Sequence, residues 1–412
     1  MILLLLLMQA DSLSLEQAID IALSRSPTYF ESKISLDKSR IQFYQALSNL
    51  LPTISTTAEY TTYNNNGSET TLYSGKLTLA QPVFDINIIS SIFVSNYQLK
   101  SSGIQHNADI SGLILDVEKA YYNLIYANEL LRTSETAIER ANENKQLIET
   151  KYRIGASSKL DALQAEVSYL SALQDQAKAK TLQITAQEGL KTLLALDTDI
   201  YPTDSLLPPE IYDLPPIDSL MTILAVANND IRIAQQQENI AKLNVLTSYL
   251  AFLPSVSLFY GYTYSDDELV FDFQRWRDNS IKNYGISISF PILEIKSLFF
   301  NNLNARKQHQ LQKIARTSAE LESEKSLRVA YYGVREAYDQ LQYSGKSLDA
   351  ATEAAAIARQ QYTLGLISFL DLLTAENNLN TTRVALASAI SDFYVQRATL
   401  SYLLGDLVLS KE

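Results

Sequence analysis

The sequence predicts a mainly α-helical chain with a small β part, built as two like halves. Three observations carry this. First, the chain repeats itself: Ala120-Tyr121-Tyr122 returns as Ala330-Tyr331-Tyr332, 210 positions on. The stretch Tyr152, Gly155, Ser158, Leu160, Asp161, Leu163, Ala165, Glu166 returns at the same shift as Tyr362, Gly365, Ser368, Leu370, Asp371, Leu373, Ala375, Glu376. Leu51-Pro52 answers Leu253-Pro254 at a shift of 202, and Pro82 answers Pro291 at 209. A half-repeat of about 200 residues is far longer than a solenoid unit. Second, each half holds a long proline-free helical pattern. Third, each half holds a pair of Thr- and Tyr-rich alternating segments framed by proline.

Taken in order, residues 1–10 (Met-Ile-Leu-Leu-Leu-Leu-Leu-Met-Gln-Ala) form a short apolar run ending in a small residue, read as a signal peptide that lacks a basic start. No other run approaches the ~18–20 apolar residues of a membrane helix. The first repeat is assigned to 11–197, a Pro-rich linker to 198–216, and the second repeat to 217–412. The linker carries Pro202, Pro208, Pro209, Pro215 and Pro216 and is either a flexible connection or an irregular belt.

The β segments come next. Residues 54–63 and 76–84 alternate Thr, Tyr and apolar side chains around the turn cluster Asn64–Ser68, giving a hairpin at about 53–84. In the second half, 255–264 and 284–290 flank a loop at 265–282 that carries Trp276, giving a hairpin at about 254–291. The corners fall at Pro52, Pro82, Pro254 and Pro291, because proline ends helices and tolerates strand ends.

The rods follow. In the first, Val117, Leu124, Leu131 and Ile138 recur every seven residues, with Ala120, Ala127, Ser134 and Ala141 between them. The second repeats this as Leu327, Val334, Leu341 and Leu348 with Ala330, Ala337, Ser344 and Ala351. Large alternating with small lets helices approach closely, in a coiled coil or an α-helical barrel alike. Runs from about Asn87 to Tyr152 and Glu294 to Tyr362 would each extend on the order of 100 Å. Each ends in a tight tip, at about 153–157 and 363–367. Gly155 and Gly365 suit a helix C-cap, Ser158 and Ser368 an N-cap. Asp161 and Asp371 fall in the first turn of the returning helix, facing its positive dipole end.

The net charge of −12, from 34 basic and 46 acidic residues, argues against nucleic acid as a partner. The acid excess fits either an ordinary solvated surface or a negatively charged lumen. With no cysteine, disulfides and thiolate-held metals are excluded. His106 and His309 lie in polar helical stretches and read as solvent-exposed. No metal spacing, nucleophile elbow or phosphate loop is present, so neither an enzyme nor a cofactor is expected. Asp266-Asp267 sits in a polar loop and needs no catalytic role.

Strands of about nine to eleven residues with aromatic flanks have the texture of outer-membrane strands, or else cap a helical bundle in water. Two hairpins give four strands, whereas the smallest membrane barrels have about eight. An open edge in hydrocarbon leaves backbone groups unpaired. Hairpins in a bilayer therefore require strands from other subunits.

Leu13-Ser14-Leu15-Glu16-Gln17-Ala18-Ile19, the duplicated Leu-Pro entries, the exits at Pro82 and Pro291, and the paired tips together resemble the TolC family of outer-membrane efflux proteins, over about 13–405. The resemblance implies a homotrimer: duplicated long-helix hairpins forming a trimeric α-barrel, continuous with a 12-stranded β-barrel of four strands per chain. It places that barrel in the outer membrane of a Gram-negative-type bacterium and the helices in the periplasm. Segments 28–51, 158–197, 217–252 and 368–405 would be half-length helices, and the linker an equatorial belt. A periplasmic adaptor (membrane fusion protein) would dock on the tips at Gly155, Ser158, Gly365 and Ser368. An inner-membrane transporter of RND, ABC or MFS type would supply the energy. Asp371 matches the family's acidic ring at the periplasmic mouth, and Thr374 stands one turn on, where a second acid can occur. The function implied is the exit duct of a tripartite efflux or type I secretion system. The alternative is a non-pore periplasmic coiled-coil scaffold or adaptor. In either case a plain helix-dipole role suffices for Asp161 and stands level with the ring for Asp371.

Overall fold

The computed structural model describes residues 12–65, 68–204, 206–209, 213–269, 273–278, 280–290 and 295–405. The signal-peptide segment and the corner at Pro291 lie outside them. The elements run α1 (Leu15–Arg25), α2 (Pro27–Ser48), β1 (Thr53–Asn65), β2 (Ser68–Phe84), α3 (Ile86–Arg153), α4 (Lys159–Leu194), α5 (Ile217–Ala227), α6 (Asn229–Leu250), β3 (Ser255–Asp266), α7 (Phe273–Asp278), β4 (Ser280–Ser289), α8 (Ile295–Thr363) and α9 (Phe369–Leu403). The chain forms two compact units, each drawing on both repeats. One takes the described parts of 1–33, 107–229 and 320–412; the other takes 34–106 and 230–319.

The first unit is helical. Ser14 and Gln17 cap α1 reciprocally, and its buried face carries Ala18 and Ala22. At Ser26 the backbone turns extended (ψ 130°) because Pro27 disfavours helix in the residue before it. The second repeat breaks at the matching place without proline. The segment 217–252, expected as one helix, is two, since Asn228 adopts ψ 126° between α5 and α6. Its side chain donates to the Leu403 carbonyl at 3.2 Å and accepts from Ser323 at 3.3 Å, which offsets the lost helical bonds.

The heptad positions form the core seam. Val117, Leu124 and Ala127 are sealed on α3, and Leu327, Val334, Ala330 and Ala337 are buried on α8; Leu131, Ile138 and Leu348 are half-buried. Around Leu124 gather Ala18, Tyr121, Leu190, Leu194 and Ile200. The described start of the 198–216 linker is held in place. Leu13 forms a parallel bridge with Pro202, donating to the Tyr201 carbonyl at 2.9 Å and accepting from Thr203 at 3.0 Å. The buried Tyr121 hydroxyl completes this lock with bonds to the Leu13 carbonyl (2.9 Å) and Asp204 Oδ2 (2.7 Å).

The second unit holds one antiparallel sheet in the order β1-β2-β3-β4. Its strands measure 13, 17, 12 and 10 residues, so three of the four exceed the expected nine to eleven. Asn64 and Asn65, expected in the turn, belong to β1, and Asn65 faces Ser68 at the start of β2. Pro82 is not an exit corner. It lies inside β2 opposite Ser257, at a register shift between Pro82 and Phe84, where a bulge accommodates its missing N–H. Pro52 and Pro254 stand immediately before β1 and β3.

Register sorts the side chains by face. Ile54, Leu79, Tyr260 and Tyr284 line up across all four strands, next to Leu77, Tyr262, Leu258, Ile286 and Ile288. The opposite face presents Ser55, Thr57, Thr78, Lys76, Ser257, Gly261, Thr263, Asn283 and Ser287. Thr56, Thr62, Thr71, Gln81 and Lys282 interrupt the apolar face, and Tyr63, Leu72, Ala80, Phe259 and Ile281 the polar one. Within the chain, β1 and β4 are edge strands.

Other expectations for this unit are corrected. His106 and His309 are half-buried rather than exposed. His309 Nε2 faces the Glu238 carboxylate at 3.7 Å, and Arg316 reaches the same acid at 3.2 Å. Asp266 is no loop residue; it ends β3 in a buried position and accepts the Tyr264 hydroxyl at 2.8 Å.

Candidate functional site at the paired helical turns

The two turns expected as tips are built alike. α3 ends where Gly155 donates to the Tyr152 carbonyl (3.0 Å) and Ala156 to Lys151 (2.7 Å), with Gly155 at φ +79°. α8 ends where Gly365 donates to Tyr362 (3.1 Å) and Leu366 to Gln361 (2.9 Å), with Gly365 at φ +74°. These paired bonds satisfy the last carbonyls and need the left-handed conformation that glycine adopts freely. A Cβ at Gly155 would meet nothing within 4 Å, so only the backbone opposes substitution. Gly155→Ala is therefore expected to cost about 1 kcal/mol. Hydrogen exchange should show it as faster opening confined to the last turn of α3.

Each returning helix starts on a reciprocal serine–aspartate cap. Asp161 N–H donates to Ser158 Oγ (3.0 Å), and the Ser158 N–H to Asp161 Oδ2 (3.1 Å). Asp371 N–H donates to Ser368 Oγ (3.2 Å), and the Ser368 N–H to Asp371 Oδ2 (3.0 Å). The hydroxyl of Ser368 also reaches Asp371 Oδ2 at 2.7 Å; at the first turn it is Ser157 that donates to Asp161, at 3.0 Å. Bonds from Ser368 hold the Asp371 carboxyl below the usual aspartate range. At Asp161 burial pushes upward, and the bonds from Ser158 and Ser157 outweigh it. A depressed carboxyl contributes stability that is present above its unfolded pKa and lost as pH falls through the folded value.

The two turns lie together. Ile148 of α3, Ala165 of α4, Ala358 of α8, and Phe369 and Leu372 of α9 form one cluster, with Tyr362 and Ile367 packed on it. Lys151 Nζ stands 4.3 Å over the Tyr362 ring. Gly155, Ser158, Gly365, Ser368, Asp371 and Thr374 are thereby gathered at one end of this unit. Asp371 and Thr374 are exposed on one side of α9, three residues apart, and the Thr374 hydroxyl bonds to the Leu370 carbonyl at 2.8 Å. Pro52, Pro82 and Pro254 belong to the other unit.

Sequence reasoning missed two features here. The turns project large apolar side chains into solvent: Ile154 and Leu160 at the first, Leu364, Leu366 and Leu370 at the second. Their signal was apolar residues flanking the turn glycines in an otherwise polar stretch. The other is Glu376, whose side chain is 8% exposed. It accepts from Arg359 Nε at 2.9 Å and from Asn144 Nδ2 at 2.7 Å, tying α3, α8 and α9. Its repeat counterpart Glu166 is exposed, so the matching letters hid the difference.

Among the described residues no helix is long and apolar enough to cross a membrane, which leaves the sheet as the element to consider. Outer membrane protein TolC of Escherichia coli is 24% identical over 412 residues, covering 93% of this chain and 80% of that protein. The alkaline protease secretion protein AprF of Pseudomonas aeruginosa is 23% identical over 360 residues, covering 81% and 70%. The Campylobacter jejuni CmeC outer membrane channel superposes with a TM-score of 0.82 at 19% identity, over 97% of this chain and 87% of that one. The description "outer membrane efflux protein" matches residues 18–196 and 221–406. Repeats, sheet and helical turns agree with that match, and the chain belongs to the outer membrane efflux protein family.

Proposed function

We propose that three copies of this chain form the outer-membrane exit duct of an efflux or type I secretion system. The observation that carries this is the sheet: four strands, mostly apolar on one face and mostly polar on the other, with both edges unpaired among the described residues. Such a face suits lipid on one side and a watery lumen on the other. Closure in hydrocarbon requires strands from further copies, and three copies supply twelve. A coiled-coil scaffold in water has no use for such a face. The names of the relatives support export through an outer-membrane channel, and AprF in particular supports protein cargo.

The gathered turns are the periplasmic mouth and the docking site for an adaptor, which joins the duct to an energised inner-membrane transporter of RND, ABC or MFS type. Ile154, Leu160, Leu364, Leu366 and Leu370 supply the apolar contacts, while the caps around Ser158 and Ser368 keep their backbone rigid. Asp371, beside Thr374, forms a ring of three carboxylates that narrows the mouth and favours cations.

Bilayer conductance of the purified protein tests both levels. A strictly monomeric, folded, non-conducting sample would refute the duct. For the ring, Asp371→Asn is expected to lower cation over anion permeability several-fold. Asp161→Asn disturbs the equivalent cap without touching the ring and is expected to leave the ratio unchanged. Equal ratios in both variants would remove Asp371 from the mouth.

A further inference from the structure

Two clefts in the unit that holds the paired turns meet at one guanidinium. The larger, about 1120 Å³, lies among α3, α4 and α9. The smaller, about 680 Å³, lies among α3, α8, α9 and the segment of Pro202, Asp204 and Leu206. Arg140 of α3 stands in the wall of both. Its Nη1 is sealed from solvent and makes no hydrogen bond to any described residue. Arg383 of α9 lines the smaller cleft with it.

Most of the acids around this donor already have partners. Glu376 is engaged by Arg359 and Asn144, and Glu129 by Arg132 at 2.7 Å. Asp204 is engaged by the Tyr121 hydroxyl and the Leu15 N–H. Glu143 attracts Arg140 electrostatically but is exposed. Burial, then the fields of Arg359 and Arg383, press the Arg140 guanidinium below its usual range. Arginine cannot escape such a site by losing its proton, and its five N–H groups form a rigid fork. A fork with one sealed, unpartnered N–H group beside a second guanidinium is satisfied by an anion with two or more oxygens.

We propose that Arg140 and Arg383 form a seat for one small oxyanion of the phosphate, sulfate or carboxylate type. Neither arginine is among the residues assigned to the mouth, although the larger cleft reaches Leu160 and Leu370 of the turns. Because Arg140 belongs to the first repeat and Arg383 to the second, an occupant ties α3 to α9 some way behind the turns.

Equilibrium dialysis of the intact detergent-solubilised protein against radiolabelled sulfate tests this, with ionic strength held constant by chloride. The expected result is saturable uptake near one sulfate per chain, displaced by inorganic phosphate and not by chloride. Arg140→Gln and Arg383→Gln are each expected to weaken it by about tenfold or more. Arg132→Gln, on the same wall but paired with Glu129, is expected to leave it intact. Should Arg140→Gln fail to fold, Arg383→Gln and Arg140→Lys, which keeps charge without the fork, decide the matter. Non-saturable uptake overturns the proposal, as would follow if the Asn380 amide oxygen or a neighbouring copy's acid took the donor. So does uptake unchanged in Arg140→Gln and Arg383→Gln.

Discussion

Leu79→Arg is expected to stop the protein from assembling in a bilayer, whereas Thr78→Arg, one residue away, is expected to be tolerated. Leu79 lies in β2 between Ile54 of β1 and Tyr260 of β3, within the apolar face. A guanidinium there must enter hydrocarbon, at a cost of about 2–4 kcal/mol per chain near the midplane. Three copies incur it together. Thr78 pairs with Ser55 and Gly261 on the polar face, where an arginine remains in water and only alters conductance. Refolding into lipid vesicles, followed by the fraction of heat-resistant oligomer on a gel, measures the difference. If both variants assembled equally well, the two faces would not separate lipid from lumen.

Glu376→Ala carries the second large effect, in the helical unit. Removing this carboxylate strips Arg359 and Asn144 of one acceptor each. A fully buried pair broken on one side costs about 3–5 kcal/mol. The Arg359 side chain is 43% exposed and can regain water, so about 2 kcal/mol is the reasonable expectation here. Glu376→Gln keeps an oxygen for Asn144 and should cost about half as much. Glu166→Ala, at the same place in the first repeat, removes an exposed side chain and should stay within about 0.5 kcal/mol of the parent. Chemical unfolding followed by circular dichroism ranks the three. A ranking in which Glu166→Ala matched Glu376→Ala would show that the inter-helix ties contribute nothing.

These contrasts show what the chain's letters reveal and what they conceal. The long helices were legible because seven-residue spacing and the absence of proline act over many turns. They were expected at about Asn87–Tyr152 and Glu294–Tyr362, and they run Ile86–Arg153 and Ile295–Thr363. The caps at Ser158 and Ser368 were legible because a capping serine and the acid three residues on are purely local. The break at Asn228 was not, since nothing local forbids helix there and the compensating bonds come from Ser323 and Leu403. Strand ends were underestimated where β2 opens with Ser68-Glu69-Thr70-Thr71, which shows no apolar alternation. Repetition itself misled. Tyr121 is sealed and locks the linker, while its counterpart Tyr331 is only half-buried; Tyr122 is half-buried, while its counterpart Tyr332 is 59% exposed. A duplicated motif preserves local geometry, but each copy acquires its own surroundings.

The two free rims of the sheet bear on how the protein comes into being. Until companions arrive, a newly exported chain holds an oily panel that water does not satisfy and open backbone borders that lipid does not. Maturation therefore depends on encounter between chains, and a shortage of them delays it more than proportionately.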